Sequence, residues 1–283
     1  MVPQTLTEGV ELDDAFTGLA ADGMMTIAGF GSLLSERSAR GTFPQLTNFR
    51  PGVVRGWRRV FAHTCEIFHK RGIAFGVVSA SVSPVIPHPA APHRLPTTPM
   101  QNETSSLSVE PCEGAELVIS LFEVSANPEA ITAFIAREHE FKFVAVQPSK
   151  LDGTPGERFA VMCALSNDTE YLARRCSPEE FRLRYGVYGI TEVWSTGASI
   201  LPCRVYLRHC VLASQSFCPE AAANFLDNTF LADRTTSLRV YLERNPSIMD
   251  ERPPPRASGA VQWMTTMQSF EIQGDHVQDI QRQ

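Results

Sequence analysis

The chain has 283 residues, 43% of them hydrophobic and 20% charged, with 25 Lys and Arg against 31 Asp and Glu and a formal net charge of -6. Those figures suit one large folded domain or two small ones and exclude a collagenous or wholly disordered chain. No run approaches the ~20 consecutive apolar residues of a membrane span, and a net-negative chain without a dense basic stripe lacks the charge that nucleic-acid binding rests on.

Residues 1–23 are polar and acidic, without the basic and apolar stretches of a secretory leader, and are expected to form a loose arm. Seven cysteines, odd in number and without a CxxC pair, are expected to be reduced thiols in a cytoplasmic protein. Residues 25–30 (MTIAGF) are a short apolar run ended by glycines, which predicts a buried strand. Residues 53–63 (VVRGWRRVFAH) and 73–80 (IAFGVVSA) predict two more. Prolines at 84, 87, 89, 92, 96 and 99, followed by a Thr/Ser/Asn stretch, predict a mobile insertion over residues 81–109. Strand signals return at residues 116–124 (ELVISLFEV).

A well-marked helix follows. Asn127 suits the N-cap, Pro128 the first turn and Glu129 the positive end of the dipole, while Ala130, Ile131, Phe134 and Ile135 make one apolar face. The helix should end near residues 138–140, because residues 141–146 (FKFVAV) alternate as a strand; residues 158–165 predict another. Helical patterns then cover residues 167–175, 178–185 (capped by Ser177), 219–226 and 235–244, with residues 201–210 read as a strand packed beneath them. Strands that mostly do not alternate with helices give the α+β class. The expected division is a main unit over residues 24–165, a helical C-terminal extension over 166–245 and a weakly ordered tail over 246–283.

Three segments could carry chemistry. Phe30, Gly31, Ser32 and Leu33 leave the first strand through a glycine-marked turn whose backbone N–H groups could together bind an anion or a carbonyl oxygen. It is not a dinucleotide fingerprint, since the third glycine and the ribose-binding acid are missing; a plain tight turn is the competing reading. Glu138 sits where the helix meets the next strand, and the negative dipole end and Glu140 should both raise its pKa, as a proton-shuttling carboxyl needs. The competing reading is a solvated charge paired with Arg137 or Lys142. Alternation places Glu140 on the solvent side if Phe141 packs inward. Cys203, His209 and Cys210 offer soft ligands, but no second pair at zinc-site spacing accompanies them, and nothing local activates a thiolate; no metal is expected.

Taken in order, these pieces resemble the gamma-glutamylcyclotransferase-like family, including its ChaC-type glutathione-specific branch. Residues 27–34 (IAGFGSLL) resemble its opening strand and Tyr-Gly-Ser-Leu/Asn loop, and residues 54–61 (VRGWRRVF) its V-x-G-Y-x-R-x-F strand. Residues 76–78 (GVV) and 112–117 (CEGAEL) are similar to later glycine-marked strands, and Ile135, Ala136, Arg137 and Glu138 to the segment carrying the catalytic glutamate. Phe30 and Phe141 stand where many members carry tyrosine, and His139 where a glycine often follows the glutamate. The resemblance spans about residues 24–165. It implies a small mixed β-barrel with packed helices and a pocket at one barrel end where Glu138 meets residues 30–33. The implied reaction needs no cofactor: a gamma-glutamyl amine attacks its own γ-carbonyl, giving 5-oxoproline and a free amine or amino acid. A catalytically silent member that binds a small ligand or a protein is the alternative.

Overall fold

The computed structural model describes residues 6–20, 22–74 and 102–254. Met24–Gly29 forms β1, a nearly continuous apolar run whose burial on both sides marks an interior strand. One neighbour is the long antiparallel β3 (Glu103–Ser125), in register from Met24↔Ser125 to Gly29↔Ser120. The other is the parallel β5 (Ala160–Ala164), which pairs antiparallel with β4 (Lys142–Val146). β2 (Thr47–Thr64) pairs with β3, and two short strands, β6 (Leu201–Pro202) and β7 (Thr229–Leu231), add to β3 and β2.

The sheet runs β4-β5-β1-β3-β2-β7 with β6 beside β3, so the expected closed barrel is corrected to an open, mixed, seven-stranded sheet. It bends where the β2–β3 register shifts from Arg55↔Glu116 to Trp57↔Pro111, the extra residues of β3 bulging out around Gly114 at φ 77°. A bulge kinks and twists the paired strands. The bent half curls back until the Leu165 N–H donates to the Val109 carbonyl at 2.8 Å. That contact does not extend into a ladder.

Two further expectations change, and a third lies mostly outside the described residues. Residues 103–109 are not insertion but the first part of β3, where Ser105, Ser106 and Ser108 are buried and Leu107 pairs with Phe61; residues 81–101 lie outside the described residues. Of residues 73–80, only Ile73 and Ala74 are described, and neither is in a strand. Residues 6–20 of the N-terminal arm are packed down: Gly9 N–H and Leu12 N–H donate to Ala145 and Phe143 carbonyls of β4 at 2.8 Å, and Leu12, Phe16 and Leu19 enter the core.

The expected helix is α3 (Pro128–Arg137), after the short α1 (Glu36–Thr42) and α2 (Glu66–Lys70). Asn127 Oδ1 accepts the Ala130 N–H at 2.8 Å, capping it as its sequence position predicts. Phe134 on its inner face meets Phe16, Phe43 and Phe143, with ring centroids 5.4–6.1 Å apart. The C-terminal part carries α4 (Asp168–Arg174), α5 (Pro178–Arg184), α6 (Arg204–Phe217), α7 (Pro219–Asp227) and α8 (Leu238–Arg244). The expected strand at 201–210 is mostly α6. Its residues from Val205 to Val211 are all buried, Arg208 and His209 among them, and polar side chains inside the buried run blur the apolar period that a sequence reading relies on. Because β6 and β7 enter the sheet, this part is woven into the main unit. No helix among the described residues is long and apolar enough to cross a membrane.

Candidate active site

The loop that leaves β1 is pinned from behind. A Cβ on Gly29 would lie 2.6 Å from both Leu33 Cβ and Ser120 Oγ, so only glycine lets β1 pass Ser120 here. Ser120 Oγ donates to the Leu33 carbonyl at 2.8 Å, and Arg59 Nε donates to the Phe30 carbonyl at 2.7 Å. Residues Ser32–Leu34 then form one 3-10 turn closed by Leu34 N–H to Gly31 O at 3.0 Å. The N–H groups of Gly31, Ser32 and Leu33 lie at the start of that turn and find no acceptor among the described residues. Phe30 and Leu33 turn their side chains into the core and can offer only backbone to a ligand, whereas Ser32 is half-buried.

Opposite the loop stands Tyr206 of α6. Its Oη and Leu107 Cδ2 lie 3.2 and 3.1 Å from where a Gly31 Cβ would sit, and Cys210 Sγ follows at 3.8 Å. Burial pushes the Tyr206 phenol up, helped by Cys210 and by the Glu138 carboxylate. Burial also raises the thiol of Cys65, just after β2, helped first by Glu140 and less by Glu138, and the thiol of Cys163, on β5, helped by Glu138. The Glu138 charge is thus felt by Tyr206, Cys65 and Cys163, and Tyr206 borders the glycine loop. Its own ion pair is with Arg137 Nε at 3.1 Å.

The second carboxylate behaves differently from expectation. Glu140 and Phe141 are both buried, at 7% and 8% exposure, so Glu140 is not on the solvent side. Strand alternation does not govern it, because residues 138–140 form a turn closed by Phe141 N–H to Glu138 O at 3.0 Å, and β4 starts only at Lys142. Burial raises the Glu140 pKa, partly offset by the Tyr185 hydroxyl, which donates to Glu140 Oε1 at 2.8 Å. The Cys65 thiol lies 3.6 Å from the same oxygen. From Tyr185 the network continues through Tyr171 (3.2 Å) to His139 Nδ1 (3.0 Å). Glu140 is thus a buried carboxyl with a raised pKa, beneath Tyr171 of α4 and Tyr185 at the end of α5.

The sequence singled out the loop and both glutamates as candidates, but not Tyr206, Arg59 or Asn224. Tyr206 was hidden by reading its segment as a strand. Arg59 stands in a strand whose sequence does not say which arginine points inward, and it is fully buried while its neighbour Arg58 reaches Glu110 at 2.8 Å. Cys203 and Cys210 are buried thiols pushed up to about 12 by burial, a state that opposes thiolate chemistry. A surface cavity of about 170 Å³ is lined by Leu6, Val10, Leu12 and Ala145, none of which belongs to this site.

No protein-family model and no curated protein matches the sequence. Among solved structures, the fold is similar to a gamma-glutamyl cyclotransferase at 10% identity, over 62% of this chain and 92% of that one, with a TM-score of 0.32. It is also similar to a gamma-glutamyl cyclotransferase specific to glutathione from yeast, at 12% identity over 81% and 96% of the two chains, with a TM-score of 0.34. An uncharacterized protein from Homo sapiens is similar at 9% identity over 60% and 89%, with a TM-score of 0.33. Likeness at these TM-scores carries no argument about activity.

Proposed function

We propose that this chain is a gamma-glutamyl cyclotransferase-type enzyme, acting on a gamma-glutamyl amide or peptide without a cofactor. What supports the reading is the electrostatic coupling of Glu138, at the end of α3, to Tyr206, whose hydroxyl borders Gly31, in a loop where the N–H groups of Gly31, Ser32 and Leu33 find no acceptor among the described residues. In this reading the Glu138 carboxylate takes a proton from the α-ammonium of the substrate. The freed amine attacks the γ-carbonyl carbon, a new C–N bond closes the five-membered ring, and the bond to the leaving amine breaks as Glu138 returns the proton. The loop N–H groups would hold the substrate's carboxylate or the developing oxyanion, and fixing the folded-back conformer supplies much of the acceleration. The sequence motifs of the first strand, of β2 and of the end of α3 support the same reading.

The Arg137–Glu138 ion pair favours a second reading, in which the carboxylate is held by its neighbour and the chain binds a small glutamyl-like ligand without turning it over. Incubation with gamma-glutamyl dipeptides and with glutathione, following 5-oxoproline, separates the two. Release of 5-oxoproline supports the enzyme. Binding measured by calorimetry without release supports the silent binder.

A further inference from the structure

Arg59 is fully buried, yet none of its partners among the described residues is a carboxylate. Its Nε donates to the Phe30 carbonyl at 2.7 Å, one Nη to Asn224 Oδ1 at 2.8 Å and the other to the Val118 carbonyl, and the guanidinium stacks 5.3 Å from the Phe225 ring. Burial lowers its pKa only to about 9, so the group is cationic at neutral pH. A buried charge satisfied only by neutral acceptors is expensive to keep, and replacing it with an apolar side chain of similar volume is often neutral or stabilising. Its position suggests what retains it. The Phe30–Gly31 peptide is trans, so the carbonyl that faces Arg59 and the Gly31 N–H point in opposite directions. A charge-assisted bond to a peptide oxygen polarises the whole peptide group and strengthens its N–H as a donor. That N–H has no acceptor among the described residues.

We infer that Arg59 is a specificity-determining residue of the candidate site, polarising the Phe30–Gly31 peptide so that the Gly31 N–H selects a ligand carrying a carboxylate. Asn224 of α7 is its positioning partner: besides accepting from Arg59, its Oδ1 accepts the Val118 N–H at 2.9 Å and its Nδ2 donates to the Glu116 carbonyl at 2.9 Å. The C-terminal part thereby reaches the loop through one side chain. This inference rests on the proposed function for the identity of the ligand, though not for the clamp itself.

The test uses the full chain, 5-oxoproline and its neutral counterpart 5-oxoprolinamide, titrated by calorimetry. Loss of one charge-assisted contact should raise the Kd for 5-oxoproline about tenfold in Arg59→Met, with less than about threefold change for the amide. Arg59→Lys should recover part of the loss, and Asn224→Ala should show a smaller loss of the same sign. Equal losses for both ligands, or none, would overturn the inference. The amide resonance of Gly31 supplies a readout that needs no ligand: it should move upfield in Arg59→Met and part of the way in Asn224→Ala, which serves alone if Arg59→Met does not fold. A resonance that stays in place overturns the clamp. If the wild type binds neither compound and releases no 5-oxoproline, the proposed function fails while the Gly31 resonance still decides the role of Arg59.

Discussion

Two carboxylates two residues apart are given different environments by the fold. Glu140 lies under Tyr185 and beside Cys65, with its pKa raised by burial. A carboxyl that holds its proton more tightly when folded makes folding proton-coupled, so stability falls as pH rises from the ordinary carboxylate value of 4.5 through the raised one. Glu140→Gln removes that component. Melting curves taken from pH 4.5 to neutrality should therefore drop less steeply for the variant than for the wild type, and parallel curves would contradict the assignment. Gly31 is constrained by the space around it. A valine there must push against Leu107 and Tyr206, so Gly31→Val should abolish calorimetric binding of 5-oxoproline. Ser32→Ala, which leaves the backbone donors in place, should cost a few-fold at most. Equal, small effects would reduce the loop to a turn.

At the level of strands and helices, the bend in the β2–β3 pair shapes the candidate site, because it brings Leu107 to the loop and Val109 to Leu165 at the end of β5. Deleting residues 103–109 would strip Val60, Phe61, His63 and Thr64 of their ladder partners and remove the strand that β6 joins. Soluble expression of that deletion should fail; a cooperatively melting product would refute the strand's role. The capped helix α3, the loop after β1 and the strands flanking them were legible because caps, glycines and apolar runs act locally. The start of β3 was not: Glu103, Thr104, Ser105, Ser106 and Ser108 are buried polar residues, and their burial comes from β2 and β6, not from any pattern of their own. The buried place of Glu140 was equally hidden, since its cover comes from Tyr171 and Tyr185, more than 30 residues later in the chain.

The whole molecule depends on its last third. Leu207, Cys210, Val211, Phe225 and Leu238 are each at most 2% exposed and belong to the main core. At roughly 1.5–3 kcal/mol for each large apolar side chain, their burial rivals the 5–15 kcal/mol by which a domain is stable at all. A chain ending at residue 165 should accordingly show no cooperative thermal transition; a sharp one would mean that the first part folds alone. The same third supplies Tyr206 to the loop, Asn224 to Arg59 and the tyrosines over Glu140, so activity should be a property of the full chain. In the proposed reaction Glu138 moves the proton and Glu140 does not. Release of 5-oxoproline from a gamma-glutamyl substrate, measured for the wild type, Glu138→Gln and Glu140→Gln, tests it most directly. Glu138→Gln should lower turnover by about 10²–10⁴-fold, as loss of a general base does, and Glu140→Gln only a few-fold. The reverse ranking, or equal rates in all three proteins, would contradict it.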